Sequence, residues 1–188
     1  MMKTKFRKSL KHKLSLMSEI EVIKSSAVIQ LNCLNYIKSI KHENVLIYMA
    51  FKSEVRTDVI KDRLLFGNKK IFIPKVLDKN TLSFNKYSNE ESLVENEFKI
   101  LESVSQDFLV GEKFDLIILP LIGIDKNGSR LGYGGGYYDR ALQNIRNLDK
   151  RPTIIGLGYE FQILNEEFGE SHDIKFDIAF TEQKLHIF

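Results

Sequence analysis

The chain has 188 residues, of which 43% are hydrophobic and 28% charged, the composition of a globular protein large enough to bury its own core. Lysine and arginine number 28 against 25 aspartates and glutamates, so the formal charge of +3 suits small anionic ligands but does not indicate nucleic-acid binding. The lone cysteine, Cys33, excludes an internal disulfide and a cysteine-based zinc site, and no apolar run approaches the ~18 residues of a membrane span. We therefore expect a cytoplasmic protein that binds neither nucleic acid nor membrane.

The first predicted element is a basic amphipathic helix over positions 3–16. Apolar residues recur at helical spacing from Phe6 to Met17, and lysines dominate the other positions. Charge alone indicates only a solvated surface helix. Ser18 and Glu21 have the spacing of a capping box and predict the start of a second helix. The apolar stripe predicted for that helix consists of Ile20, Ile23, Ala27, Leu31, Leu34 and Ile37.

A strand, a helix and a second strand follow within about thirty residues. Positions 45–50 are apolar, positions 57–66 are amphipathic, and positions 70–74 are a short apolar run. This order predicts a βαβ unit with parallel strands. The loop after the first strand carries Glu54 and falls at the carboxyl edge, where ligands bind in doubly wound sheets. A surface charge is the other interpretation of Glu54.

The middle of the chain contains one weak segment and one clear strand. Positions 81–87 alternate polar and apolar residues and predict an edge strand. Positions 88–113 are polar and acidic and predict no clear element. Four consecutive apolar residues, Leu116–Leu119, are followed by Pro120, a pattern typical of a buried strand.

A glycine-rich loop follows a polar turn at positions 125–128. Four of its five positions are glycine: Gly132, Gly134, Gly135 and Gly136. A helix is predicted over positions 138–145, and a strand, glycine loop and helix in succession can present backbone N–H groups to a phosphate. Arg130 and Arg140 flank the loop, and Asp139 suits a hard cation such as Mg²⁺. A flexible turn with surface charges is the alternative, since neither standard phosphate-binding fingerprint fits.

Two later strands complete the predicted fold. Positions 153–158 predict a buried strand parallel to Leu116–Leu119, and positions 178–181 predict another strand. Alternating strands and helices predict an α/β fold with a central, mostly parallel, Rossmann-like sheet in three layers. No repeat or linker interrupts the chain, so we expect a single domain over residues 1–188.

Positions 120–140 resemble the signature of the 5-formyltetrahydrofolate cyclo-ligases, also called methenyltetrahydrofolate synthetases. The family's Arg-Leu-Gly-Tyr-Gly-Gly-Gly-Tyr-Tyr-Asp-Arg stands intact at positions 130–140. The chain departs at Leu121, usually glycine, and at Ile124, usually phenylalanine. Positions 98–103 match the family's Gly-Ile-x-Glu-Pro less closely, with lysine for glycine and serine for proline.

The resemblance implies an enzyme that acts on two small molecules, and we expect it to be a monomer. With ATP as co-substrate and Mg²⁺ as cofactor, such an enzyme would convert 5-formyltetrahydrofolate to 5,10-methenyltetrahydrofolate and release ADP and phosphate. The implied catalytic residues are Arg130, Tyr138 and Asp139, and the metal residues are Asp139 and Asp177. The implied ATP-binding residues are Lys3, Arg7, Arg130, Gly132, Gly134, Gly135, Gly136, Tyr137 and Tyr138. The implied folate-binding residues are Arg7, Met49, Glu54, Tyr133, Gly134, Gly135, Gly136 and Tyr137.

The residues themselves leave three alternatives open. One is a protein on the same scaffold that binds folate or nucleotide without turnover. Another is that Tyr138 is an ordinary half-buried aromatic residue. Asp177 has the position of a strand-start residue that caps backbone N–H groups.

Overall fold

A computed structural model of the chain describes residues 2–188 and has a seven-stranded sheet at its centre. In chain order the strands are β1 (Asn44–Ile47), β2 (Lys70–Val76), β3 (Leu82–Tyr87), β4 (Leu93–Glu95), β5 (Leu101–Ser103), β6 (Leu116–Leu119), β7 (Gly123–Ile124), β8 (Arg130–Leu131), β9 (Thr153–Leu157), β10 (Ile178–Phe180) and β11 (Leu185–Ile187). The main sheet has the order β11-β10-β9-β6-β1-β2-β3. Its five inner strands are parallel, and β3 and β11 are antiparallel edges. The predicted mostly parallel α/β sheet is confirmed.

Helices cover one face of the sheet more fully than the other. The helices are α1 (Met2–Leu16), α2 (Glu19–Ile37), α3 (Asp58–Phe66) and α4 (Tyr137–Ala141). Side chains of α1, α2 and α3 form one core with Leu116 and Ile118 of β6. Ile117 and Leu119 point the opposite way, into a second core with residues that follow α4 and with residues near position 175. Burial on both faces explains the unbroken apolar run of β6. No helix within residues 2–188 is long and apolar enough to span a bilayer.

Helix α2 begins as predicted but buries a different face. Ser18 and Glu21 form both bonds of the capping box. Ile20, Ile23 and Leu31 of the predicted stripe are exposed. The buried face consists of Val22, Ser26, Ile29, Gln30, Cys33, Leu34 and Ile37.

Two polar side chains on α2 explain this orientation. Ser26 Oγ accepts the N–H of Arg56 at 3.0 Å, and Gln30 Oε1 accepts the N–H of Ile60 at 3.3 Å. The second of these N–H groups lies in the first turn of α3, where it has no partner within its own helix. Turning α2 toward these N–H groups buries Ser26 and Gln30 and leaves several isoleucines and leucines exposed.

Three predicted boundaries also change. Strand β1 ends at Ile47, although the apolar run continues to position 50. The helix predicted over 138–145 ends at Ala141 and continues as a 3-10 helix, Gln143–Asn147, which contains two asparagines. The polar segment 88–113 contains an antiparallel hairpin of β4 and β5. At its turn, Lys99 has φ 60°, a conformation that favours glycine, the residue usual in the family at this position.

Candidate active site

A cavity of ≈ 610 Å³ lies at the carboxyl ends of β1, β2 and β6, where parallel sheets bind ligands. Its walls come from α1, the loop after β1, the glycine loop, α4 and the β4–β5 hairpin. The structure thus brings together residues far apart in the chain. All but one of the predicted site residues line it: Lys3, Arg7, Met49, Glu54, Arg130, Gly132, Tyr133, Gly134, Gly135, Gly136, Tyr137, Tyr138 and Asp139.

Two arginine side chains donate hydrogen bonds to backbone carbonyls of the glycine loop. Arg7 Nε donates to the carbonyl of Gly132 at 2.9 Å, and Arg140 Nη2 donates to the carbonyl of Gly135 at 2.8 Å. Gly136 has φ 65°, a left-handed conformation that residues with a Cβ rarely adopt. The two cations therefore lie against the loop that was predicted to bind phosphate.

Arg130, Tyr138 and Asp139 form one contact group. The Arg130 side chain is 5% exposed, and its Nη1 lies 3.6 Å from Asp139 Oδ2. Its Nε donates to the carbonyl of Pro120 at 2.8 Å, and its guanidinium carbon lies 5.0 Å from the ring centroid of Tyr138. Burial raises the pKa of Tyr138, so its hydroxyl remains a hydrogen-bond donor at neutral pH.

A second acidic residue, Asp173, lies beside Asp139 at the cavity wall. Asp139 Oδ1 accepts the N–H of Ile174, the residue after Asp173, at 3.2 Å. Lys3 Nζ lies 2.6 Å from Asp173 Oδ2 and 3.0 Å from Glu170 Oε1. Burial alone would lower the pKa of Lys3, but hydrogen bonds to these two acids raise it above its usual value. Lys3 is therefore held as a cation at the cavity edge.

The structure does not bring Asp177, the other predicted metal residue, to this cavity. Both of its carboxylate oxygens pair with the guanidinium of Arg151. Oδ2 also accepts the N–H of Ile154 at 2.8 Å, at the start of β9. Asp177 thus caps the start of β9 and links neighbouring strands. Asp173, four residues earlier in the same motif, lies beside Asp139 instead.

Glu54 also lines the cavity and is 8% exposed. Its Oε2 accepts the N–H of Phe51 at 2.9 Å. Burial raises the pKa of Glu54 to about 7, although the Phe51 N–H, the Tyr133 hydroxyl and the charge of Arg130 oppose the rise. Glu54 therefore changes its protonation state close to neutral pH.

We expect Glu54→Gln to make the stability of the protein less dependent on pH. The pKa of Glu54 is about 7 against an ordinary 4.5, so its contribution to stability is complete below pH 4.5 and is lost as the pH rises through 7. Relative to the variant, the wild-type free energy of unfolding should fall by on the order of 3 kcal/mol between pH 4.5 and pH 8. Urea denaturation at both pH values measures this difference, with the exposed Glu97→Gln as control. Parallel pH profiles for wild type and Glu54→Gln would contradict the assignment.

Comparison with known proteins decides the family. Residues 1–182 match the model of the 5-formyltetrahydrofolate cyclo-ligase family. The chain belongs to this family. A 5-formyltetrahydrofolate cyclo-ligase of Haemophilus influenzae is 34% identical over 152 residues, covering 78% of this chain and 80% of the relative. The mouse enzyme of the same name is 27% identical over 180 residues, or 91% of this chain and 89% of that protein.

Solved structures show the same cyclo-ligase fold. A 5,10-methenyltetrahydrofolate synthetase from Aquifex aeolicus superposes with a TM-score of 0.84 at 28% identity, covering 100% of this chain and 93% of the other. A 5,10-methenyltetrahydrofolate synthetase from Mycoplasma pneumoniae has a TM-score of 0.78 at 23% identity, with coverage of 97% and 99%. This second likeness supports the fold alone.

The cyclo-ligase signature did not predict the wall made by the β4–β5 hairpin. Asn96, Phe98, Ile100 and Glu102 from this hairpin line the cavity opposite the glycine loop. Positions 88–113 are rich in polar and acidic residues, so the alternation of polar and apolar residues that predicts a hairpin is too short to recognise in the sequence. The remaining signal was Glu102, which matches the glutamate of the family's Gly-Ile-x-Glu-Pro.

Proposed function

We propose that this chain catalyses the ATP-dependent conversion of 5-formyltetrahydrofolate to 5,10-methenyltetrahydrofolate, releasing ADP and phosphate. The observation that carries the proposal is that Arg130 lies 3.6 Å from Asp139, that its charge acts on Glu54, and that all three residues line one cavity with the glycine loop. We extend the proposal to a single-domain, monomeric enzyme of the cytoplasm.

The reaction must activate a formamide, which is a poor electrophile. Transfer of the γ-phosphoryl group to the formyl oxygen breaks the bond to ADP and creates an iminium phosphate. Nitrogen 10 then attacks the formyl carbon and loses its proton, and the carbon–oxygen bond to phosphate breaks as the ring closes. Such a sequence depends on alignment of the two substrates and on neutralisation of phosphate charge, more than on a nucleophilic side chain.

The cavity supplies both requirements. The backbone of the glycine loop, with Lys3, Arg7 and Arg130, provides N–H donors and cations for the triphosphate. The ring of Tyr138 lies beside Arg130 and its hydroxyl stays protonated, so it would donate a hydrogen bond where the γ-phosphoryl group meets the formyl oxygen. The predicted folate-binding residues other than Arg7 and the glycines are Met49, Glu54, Tyr133 and Tyr137, and all of them line the same cavity.

The two carboxylates of Asp139 and Asp173 fit Mg²⁺. Asp139 Oδ1 accepts the N–H of Ile174, the residue after Asp173, and both acids line the cavity; oxygen donors are what this ion prefers. Within residues 2–188 no three His, Cys, Asp or Glu side chains form a complete metal cage. That agrees with Mg²⁺, which usually takes one or two carboxylates and completes its shell with water and substrate phosphates. When bound, the ion would neutralise charge on the phosphate oxygens.

We expect Arg7→Ala to weaken ATP binding about tenfold to a hundredfold, because it removes a cation at the phosphate end and a charged hydrogen bond to Gly132. Calorimetric titration of ATP into the Mg²⁺-loaded protein measures the effect. Lys8→Ala, on the exposed face of the same helix, is the matched control and should bind ATP as the wild type does. An unchanged dissociation constant in Arg7→Ala would refute the role.

The absorbance of the methenyl product tests the proposed reaction directly. Purified protein with 5-formyltetrahydrofolate should form this product only when ATP and Mg²⁺ are both present, and one ADP should appear per product molecule. Heat of folate or nucleotide binding without product would instead identify a non-catalytic binding protein on the same scaffold.

A further inference from the structure

Glu102 is a buried acid of the β4–β5 hairpin that the proposed reaction has not yet used. The residue is 6% exposed and lines the cavity. Its Oε1 accepts two hydrogen bonds, from the N–H of Val76 at 2.8 Å and from Nδ2 of Asn96 at 2.7 Å. Both donors are neutral, and within residues 2–188 no salt bridge to a lysine, arginine or histidine involves this carboxylate.

The second oxygen, Oε2, accepts no hydrogen bond from the described residues. No fully buried side-chain oxygen or nitrogen in that part of the chain lacks a partner, so Oε2 keeps some accessible area. Because Glu102 is otherwise buried and belongs to the cavity wall, this area faces the cavity. The wall therefore presents one unused acceptor to whatever the cavity binds.

The surroundings of this acceptor are apolar and suit a flat ring. Pro74, Val76, Leu82, Phe98 and Ile100 line the same part of the cavity. An acid surrounded by such residues costs free energy unless hydrogen bonds compensate it. A planar ligand with N–H donors on its edge would contact the apolar side chains and satisfy Oε2 at once.

We propose that Glu102 accepts a hydrogen bond from the amino-substituted ring of a bound substrate and holds that ring against the β4–β5 hairpin. This inference rests on the proposed function, since both of its substrates carry such a group. Adenine has an exocyclic amine, and the pterin has an amine beside a ring N–H. The cavity wall has one further buried carboxylate, Glu54, so each fused ring has an acid available to it.

A purely structural role for Glu102 is the competing explanation, because its Oε1 links the hairpin to β2. Glu102→Gln separates the two. The amide oxygen can keep both donors, Val76 N–H and Asn96 Nδ2, while the amide NH₂ replaces Oε2 and cannot accept. Ser103→Ala is the matched control. It removes the hydrogen bond from Ser103 Oγ to the carbonyl of Lys86, which anchors the same hairpin, and Ser103 is not part of the cavity wall.

The experiment measures KM and kcat for ATP, for inosine triphosphate and for 5-formyltetrahydrofolate. Glu102→Gln should raise one KM about tenfold, the loss of one hydrogen bond to a charged acceptor. A higher KM for ATP but not for inosine triphosphate, which lacks the amine, identifies adenine as the ring. A higher KM for the folate alone identifies the pterin.

Two outcomes would overturn the proposal. One is a Glu102→Gln protein with every KM within twofold of wild type. The other is an equally large rise of the same KM in Ser103→Ala. That result would mean that the position of the hairpin, and not a hydrogen bond accepted by Glu102, causes the effect. Calorimetric dissociation constants for both ligands make the test independent of turnover. If the wild-type protein binds both ligands but forms no product, the proposed reaction is refuted, and the dissociation constants of Glu102→Gln still test the role of Glu102.

Discussion

Asp139→Asn should lower kcat at least about 100-fold while leaving the fold intact. Asparagine keeps the oxygen that accepts the N–H of Ile174 but removes the charge that pairs with Arg130 and that we propose holds Mg²⁺. The KM for 5-formyltetrahydrofolate should change little, since the predicted contacts to folate lie elsewhere in the cavity. Methenyl absorbance under saturating ATP measures kcat, and circular dichroism checks the fold.

Asp177→Asn is the matched control for this prediction. Its carboxylate pairs with Arg151 and the N–H of Ile154 outside the cavity, so kcat should stay within about threefold of wild type and the melting temperature should fall. A loss of kcat in Asp177→Asn with normal turnover in Asp139→Asn would reverse the proposed assignment of the metal residues.

Arg130→Lys should reduce kcat/KM about 100-fold to 1000-fold although the charge is kept. The guanidinium donates through Nε to Pro120, lies over Tyr138 and reaches toward Asp139 at the same time. A lysine ammonium is a point charge and cannot replace a planar group with five N–H donors in these contacts. Steady-state rates for both substrates measure the loss, which should fall mainly on kcat because we propose that Arg130 contacts the reacting phosphoryl group.

The same substitution at Arg151 controls for the general effect of replacing a paired arginine. Arg151 binds Asp177 and is 44% exposed, so Arg151→Lys should retain near wild-type kcat/KM. Comparable losses in the two variants would show that the arginine at position 130 acts through stability. Thermal melting of Arg130→Lys distinguishes a weakened core from a weakened reaction.

Local patterns predicted those parts of the molecule whose structure depends on neighbours in the sequence. The run Leu116–Leu119 could be assigned to a buried strand because both faces of β6 lie in a core. The capping box at Ser18 is a contact between residues three apart, and it forms as predicted. The glycine loop, identified from five neighbouring positions, lies at the cavity wall.

Tertiary contacts determined the parts that sequence patterns predicted poorly. Periodicity located α2 but not its buried face, since Ser26 and Gln30 turn inward to satisfy N–H groups of a distant loop and helix. Asp173 and Asp177 are both acids of one motif, and only the path of the chain shows which of them lies beside Asp139. The β4–β5 hairpin packs through only a few side chains, so its sequence has no periodic pattern that predicts it.

The ion pair between Lys3 and Asp173 joins positions 170 apart in the chain, with consequences for biosynthesis. On the ribosome Lys3 and Phe6 of α1 emerge more than 160 residues before their partners, Asp173 and Phe168, and the ring of Phe168 packs 5.8 Å from that of Phe6. Part of the apolar stripe of α1 therefore stays uncovered until Phe168 has emerged. The proposed ATP site should form only after Asp173 has emerged and paired with Lys3.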